Sequence, residues 1–250
     1  MSKAPKRGTR RNPPRARTYA TIAGVVVVLL VIGAAAYIYA TRPPASSSAS
    51  GGFSNPACTS SSTSATTSGS SNEFALICTN QGLIVVELYP QYAPKTVANF
   101  VSLANSGFYA DLVFHRIVPS FVIQVGDPTT KDGGGNRSTW GQGTSGTSIP
   151  FENATELSNT VGSVAMASTG AGVGGSSQFY INLADNSASL NGKYTVFGQV
   201  ISGMSVVNAL AKVPLVDLAS CQSASPTATA CEPANAASAY IVSVTIQSTP

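Results

Sequence analysis

The sequence predicts a mainly β domain, a closed antiparallel barrel plugged by helices, behind a membrane-spanning segment and a flexible linker. Three observations carry this. From residue 73 onward, short runs rich in β-branched and aromatic residues alternate with Gly-, Asn- and Ser-rich turns. Only two stretches in that region space their apolar residues as a helix does. Everything before residue 73 is basic, continuously apolar or low in complexity, and none of it can build a core. Many short strands with isolated helices are best accommodated by closure into a barrel.

The chain has 250 residues, with 14 Lys and Arg against 10 Asp and Glu. Their distribution decides more than their sum. Lys3, Lys6, Arg7, Arg10, Arg11, Arg15 and Arg17 crowd into residues 1–17, which hold no acid. The rest of the chain is net negative, so the folded part offers no electrostatic reason to bind nucleic acid. A basic tail can serve as a nucleic-acid arm, but this one precedes Tyr19 to Ala40, a stretch without a charge. At about 1.5 Å per residue that stretch spans a hydrocarbon core of about 30 Å. Tyr19, Tyr37 and Tyr39 lie near its ends, where amphipathic rings favour the interface. The positive-inside bias then places residues 1–18 in the cytoplasm, 19–40 in the membrane and the chain beyond about residue 42 outside. A cleaved signal peptide is the rival reading. Its apolar region normally runs about 7–15 residues, although the Ala-rich end here offers small residues for cleavage.

Residues 41–72 are almost wholly Ser, Thr, Gly, Pro and Ala. Such a run cannot bury enough apolar surface to offset its ordering entropy and reads as a flexible tether. The folded domain is expected over 73–250. Residues 74–79 and 83–89 are strands joined by a turn at Asn80-Gln81-Gly82, with Ile84, Val86 and Leu88 on one face. A helix opens at Pro94, where a missing N–H is tolerated. Val97, Phe100, Val101 and Ala104 give it a core-facing stripe, and Asn105-Ser106-Gly107 ends it.

The domain is organised around the next stretch, Phe114 to Asp127. It is apolar and β-rich, broken at Pro119-Ser120. If the break preserves the phase, Arg116, Val122 and Gln124 share a face. A guanidinium beside apolar groups and an amide suggests a shallow apolar pocket with one fixed positive donor. Residues 128–150 form a long Gly-, Ser- and Thr-rich loop. From Thr160 to Val200 short strands alternate with turns. A second helix reads from Met204 to Ala211, and the last strand, Tyr240 to Ile246, alternates apolar and polar residues.

Of the four cysteines, Cys58, Cys78, Cys221 and Cys231, no pair has Cys-x-x-Cys spacing, and the lone His115 cannot complete a metal site. No metal or cofactor is expected. An even number outside the membrane favours disulfides. Of three connectivities the preferred one closes the Ser/Ala/Pro/Thr-rich insertion with Cys221–Cys231 and pins the tether to the first strand with Cys58–Cys78. Free thiols are the alternative.

Phe114 to Asp127 resembles the signature segment of the cyclophilins, the peptidyl-prolyl cis-trans isomerases. Gly162–Ser168, Ser176–Ile181 and Leu190–Val200 are similar to the family's second, third and fourth segments. Trp140-Gly141 and Phe151-Glu152 are weaker matches. Four segments in family order, over roughly residues 73–247, identify the chain as a bacterial, membrane-anchored member. The resemblance implies an eight-stranded antiparallel β-barrel capped by two α-helices. It assigns Arg116 as the catalytic arginine and Phe121, Val122, Tyr180 and Leu190 as the wall of a proline pocket. Gln124 and Gln178 correspond to polar groups that hold the peptide backbone and the arginine. Ala167 and Ser168 correspond to the strand edge that pairs with substrate. Tyr194 takes a pocket position that is often histidine.

Blander readings stand beside these. Arg116 alone could be a structural arginine paired with a buried acid, and Gln124 and Gln178 ordinary strand residues. Phe179 and Phe197 read as core. His115 neighbours Arg116 on a strand, points to the opposite face and reads as a satisfied core histidine. Residues 170–175 are Gly-rich but lack the Lys-Ser/Thr of a nucleotide loop. Asp127 and Glu152 have no evident partner. Three departures bear on ligands: Ser189 stands where many cyclophilins have tryptophan, Val122 where methionine is common, and Ser168 where asparagine is usual. The smaller rim predicts weak binding of cyclosporin.

Together these predict an isomerase of X–Pro bonds in exported proteins, anchored through 19–40 with its catalytic domain outside the membrane. Its partners are proline-containing peptides and unfolded exported proteins, and it is expected to be a monomer. The alternatives on the same fold are a non-catalytic proline-peptide binding module and a holdase chaperone. The latter needs more exposed apolar surface than this sequence offers.

Overall fold

Thr79 and Gly82 close the first hairpin: the Thr79 hydroxyl donates to the Gly82 carbonyl at 2.8 Å and accepts from the Gln81 amide at 3.2 Å. The computed structural model describes Cys58 and residues 73–222 and 229–250. The hairpin joins β1 (Phe74–Thr79) to β2 (Gly82–Leu88). Six more strands follow: β3 (Arg116–Val118), β4 (Val122–Val125), β5 (Ser163–Met166), β6 (Phe179–Asn182), β7 (Val196–Ser202) and β8 (Ile241–Gln247). All pair antiparallel in one sheet of order β3-β4-β6-β5-β7-β2-β1-β8.

The sheet curls into a half-barrel, and the closed barrel expected from the sequence is not reached. No ladder joins the edge strands β3 and β8. At the seam β8 meets the segment ahead of β3 through a single Val113–Tyr240 bridge. Hydrogen bonds from Phe114 N to the Ala239 carbonyl and from Ile241 N to the Leu112 carbonyl flank it. β3 starts only at Arg116, too late in the chain to extend that bridge into a ladder.

The expected helices are α1 (Pro94–Asn105) and, after a single turn α2 (Ser187–Leu190), α3 (Met204–Leu210). A further turn, α4 (Leu218–Cys221), follows. α1 begins with Pro94, and no side chain of its own caps it. Glu152 does so from a distant loop, accepting from the amides of Lys95 and Thr96 and the Thr96 hydroxyl at 3.1, 2.8 and 2.7 Å. A carboxylate there satisfies orphan N–H groups and complements the helix dipole. α1 buries Val97, Phe100 and Ala104 in the half-barrel, where the Phe100 ring lies 5.4 Å from those of Phe179 and Phe197.

Strand alternation divides the sheet. Ile117, Ile123, Val125, Val164, Met166, Phe179, Ile181 and Phe197 point into the main core. Their neighbours Val122, Ala165, Tyr180 and Val196 form a separate apolar cluster with Leu190 on the other face. Each fully buried large apolar side chain contributes about 1.5–3 kcal/mol, so the inner face holds the fold and leaves the outer face for a site.

The disulfides pair Cys58 with Cys78 and Cys221 with Cys231. Among the described residues no helix is long and apolar enough to cross a membrane. The expected span over 19–40 and the tether apart from Cys58 lie outside the described residues.

Candidate active site on the outer face of the sheet

The register lines up side chains from successive strands on the outer face. Arg116 of β3 stands opposite Gln124 of β4, Gln124 opposite Tyr180 of β6, and Tyr180 opposite Ala165 of β5. The turn at Pro119-Ser120 therefore keeps the phase, with Ser120 in the left-handed region at φ 59°. Around this row lies a pocket of about 250 Å³ lined by Arg116, Phe121, Val122, Gln124, Ala167, Ser168, Tyr180, Leu190 and Tyr194. Of the residues expected to act in catalysis or substrate binding, only Gln178 lies outside that lining.

The pocket floor is apolar and packed. Val122, Tyr180 and Leu190 are buried, and Phe121 and Tyr194 are half-buried against them. The Tyr180 hydroxyl donates to Asn159 Oδ1 at 2.9 Å, and burial raises its pKa, so the phenol stays protonated. The Tyr194 ring meets it edge to face at 6.0 Å. Ala167 and Ser168 lie just beyond β5. The Ala167 amide donates to the Gln178 carbonyl, and the Ser168 hydroxyl to the Gly170 carbonyl.

Arg116 is half-buried, with its guanidinium carbon 5.8 Å from the centroid of the Phe121 ring. Burial lowers its pKa, opposed by the nearby Tyr194; a guanidinium nonetheless stays charged in proteins. Among the described residues no carboxylate or carbonyl pairs with it, and the one ion pair is Arg137–Glu232, elsewhere. The structural-arginine reading fails on this point. Its N–H donors remain available to a ligand seated over the pocket.

Behind the pocket stands a polar relay. Gln124 Nε2 donates to Gln178 Oε1 at 2.9 Å. Gln178 Nε2 donates to the carbonyls of Gly141 and Gly143 at 3.0 and 2.8 Å. The amides of both glycines donate in turn to the buried carboxylate of Asp127, which also accepts from the Thr129 amide and hydroxyl. Gly143 has to be glycine, because a Cβ there would sit 2.0 Å from Asp127 Oδ1. The relay orients Gln124 but makes no hydrogen bond to Arg116. Asp127 and this loop were not read from the sequence as parts of the site. The available signal was Asp127-Pro128, a cap followed by a first-turn proline at a strand end.

His115 departs from expectation. It is buried just ahead of β3, but neither ring nitrogen meets a partner in hydrogen-bond geometry. Gly141 packs over the ring, where a Cβ would lie 3.6 Å from Cδ2. Burial drives its pKa down to about 4, against the charge of Asp127 and the Val113 carbonyl, which favour the cation. It is a neutral packing residue beside the Asp127–Gln178 relay.

Comparison with known proteins bears on the family and the fold. The profile of the family described as cyclophilin type peptidyl-prolyl cis-trans isomerase/CLD matches residues 74–230. The chain is 41% identical over 136 residues to peptidyl-prolyl cis-trans isomerase-like 1 of Emericella nidulans, covering 54% of this chain and 79% of that one. It is 38% identical over 148 residues to a peptidyl-prolyl cis-trans isomerase of Acinetobacter baylyi, covering 58% and 74%. A crystal structure of a cyclophilin type peptidyl-prolyl cis-trans isomerase from Cryptosporidium parvum superposes with a TM-score of 0.59 at 29% identity, over 72% of this chain and 99% of that one. The same parasite protein was also solved in the presence of the dipeptide Ala-Pro.

Proposed function

The chain belongs to the cyclophilin-type peptidyl-prolyl cis-trans isomerases, and from that premise we propose that Arg116 and its pocket catalyse rotation about X–Pro bonds of exported proteins outside the cytoplasmic membrane. Such a bond resists rotation by about 18–20 kcal/mol because amide resonance gives the C–N bond partial double-bond character. Rotation breaks the conjugation, pyramidalises the nitrogen and localises its lone pair. No covalent bond to the protein is required. The catalyst holds the proline ring and donates to the twisted amide more strongly than to the planar one.

The single observation that carries this reading is a guanidinium with no hydrogen-bonding or ionic partner among the described residues, held over Phe121 at the rim of a pocket with an apolar floor. The floor of Val122, Tyr180 and Leu190 suits a proline ring. Phe121 holds the arginine from one side, and its fixed fork suits a directional donor better than the mobile charge of lysine. Gln124, with its amide nitrogen committed to Gln178, presents its oxygen as an acceptor for a peptide N–H. The Ala167–Ser168 edge lies along the same groove to pair with substrate main chain.

The setting rests on the sequence and on the disulfides. A basic segment followed by an uncharged apolar one argues for an anchored chain with residues 73–250 outside the membrane. Two disulfides suit an oxidising compartment. Exported polypeptides are then the available substrates, and the isomerase acts on them as a monomer.

The experiment is proline isomerisation of short X–Pro peptides by the full chain in mild detergent, beside its Arg116→Ala form. Rate enhancement that vanishes in the variant while peptide binding persists supports the assignment. Binding without turnover in the wild type would leave a proline-peptide binding module instead.

A further inference from the structure

β3 carries Arg116, yet it is the least supported strand of the sheet. It is three residues long and lies at an edge, with β4 as its only ladder partner among the described residues. An edge strand this short leaves one side of its backbone without a partner strand. The structure places the Cys221–Cys231 disulfide against it. Cys221 Sγ lies 3.4 Å from the carbonyl oxygen of Ile117, the residue after Arg116. A disulfide sulfur has no proton, so this is a packing contact. Both cysteines and Ala230 are buried, and Val118 packs against them. Val118 is two residues from Arg116 and therefore lies on the same face of the strand. The disulfide thus touches β3 on its edge and on the face that bears the guanidinium.

The element behind the disulfide is itself braced. Val216 N donates to the Glu232 carbonyl and Ala234 N to the Pro214 carbonyl, so the segment is tied at its base. Arg137 of the long loop donates to the Pro233 carbonyl at 2.9 Å and pairs with the buried Glu232 at 3.4 Å. The segment is anchored independently of β3.

We propose that the Cys221–Cys231 cap is a positioning element for Arg116, holding β3 in register where no further strand does so. This rests on Arg116 as the donor to the twisted amide. A misplacement of about 1 Å can cost on the order of a hundredfold in rate, so partial loosening of β3 lowers turnover. Of the groups that grip proline, Tyr180 and Leu190 belong to β6 and α2, while Val122 pairs with Val118 on one side but is held by Asn182 of β6 on the other, so affinity changes less than turnover.

The other disulfide provides the control. Cys58–Cys78 tethers β1, six places from β3 in the strand order, and both pairs constrain the unfolded chain. The test compares the full-length wild type with Cys221→Ala/Cys231→Ala and Cys58→Ala/Cys78→Ala, on X–Pro peptides, at a temperature where circular dichroism shows all three folded. Both variants melt earlier. The first is expected to lose about tenfold in kcat with KM within about twofold; the second keeps both constants. Equal kcat in the two variants overturns the proposal. If the first does not fold, Val118→Ala thins the same contact without opening a disulfide, and about a threefold loss in kcat at constant KM is expected; no loss overturns the proposal. A wild type without turnover removes the isomerase reading instead. Amide hydrogen exchange then decides the cap's role, with protection across β3 falling at least tenfold in Cys221→Ala/Cys231→Ala and β1 unchanged. Unchanged protection in β3 overturns it.

Discussion

Arg116 and Gln124 stand directly opposite one another in the β3–β4 ladder, on the face turned away from the main core. The pair divides its work. Among the described residues the guanidinium has no hydrogen-bonding or ionic partner, while the amide nitrogen of Gln124 is held by Gln178 at 2.9 Å. In the proposed reaction the first group donates to the substrate, and the second, its nitrogen already committed, accepts from it.

Arg116→Ala is expected to lower kcat/KM by about a hundred- to a thousandfold, the usual cost of removing a preorganised donor. Removing a half-exposed side chain with no partner leaves stability nearly unchanged. Arg116→Lys restores only part of the rate, because an ammonium on a flexible stem lacks the fixed fork. Coupled-assay kinetics with thermal melts checks both. A loss of rate that tracks a loss of folded protein would sink the assignment.

Gln178→Leu tests the relay. It removes the acceptor of Gln124 Nε2 and leaves the Gly141 and Gly143 carbonyls without their donor. The Gly143 carbonyl is partly buried and its orphaning costs about 1–3 kcal/mol, whereas the exposed Gly141 carbonyl turns to water, so the melting temperature falls. Gln124 swings free and kcat/KM drops about tenfold. Calorimetry and kinetics together decide, and a variant that loses stability but keeps full activity would reduce Gln178 to a brace for the loop.

The parts of this molecule that declared themselves in sequence are those with a period. Ile84, Val86 and Leu88 alternate in a strand, and Val97, Phe100 and Ala104 repeat as one helix face, because a buried face repeats with its backbone. Arg116 and Gln124 sharing a face followed from that same period, once the Pro119-Ser120 turn kept phase. The role of the pocket residues came from resemblance, since spacing alone does not distinguish Tyr180 on the outer face from Phe179 in the core. The rest depends on long-range closure. α2 and α4 are single turns with no room for a repeat. The seam at Val113–Tyr240 depends on where β3 begins. His115 was read correctly as buried, but its orphaned nitrogens reflect Gly141, a loop residue brought over the ring by Asp127.

His115 makes stability depend on pH. Its pKa falls from 6.5 to about 4 on burial. The unfolded chain therefore takes up a proton before the native chain does. The stabilisation is fully present above about pH 6.5, is lost progressively as pH falls towards about 4, and changes no further below that. At about 1.4 kcal/mol per unit the loss is on the order of 3 kcal/mol. Chemical denaturation between pH 4 and 7.5 should show a steeper acid decline in the wild type than in His115→Phe, which has no proton to take up. Parallel profiles would show that the ring is protonated in the native state or reaches solvent.

Ser189 sets the last prediction. Its hydroxyl turns back to the Asn186 carbonyl at 3.1 Å, within the turn that ends at Leu190, and it does not line the pocket. Nothing at that position reaches over a large ligand. A tryptophan there that laid about 80 Å² of ring on the ligand would contribute about 2 kcal/mol at about 25 cal/mol per Å², or roughly thirtyfold in affinity. Cyclosporin should therefore inhibit the wild type only at micromolar concentration, and Ser189→Trp should tighten inhibition by ten- to thirtyfold, with little change in turnover of small X–Pro peptides that never reach the rim. Inhibition titrations of both forms decide the matter. Nanomolar inhibition of the wild type would mean that Val122, Leu190 and Tyr194 grip the ligand without help from the rim, and that position 189 has no part in it.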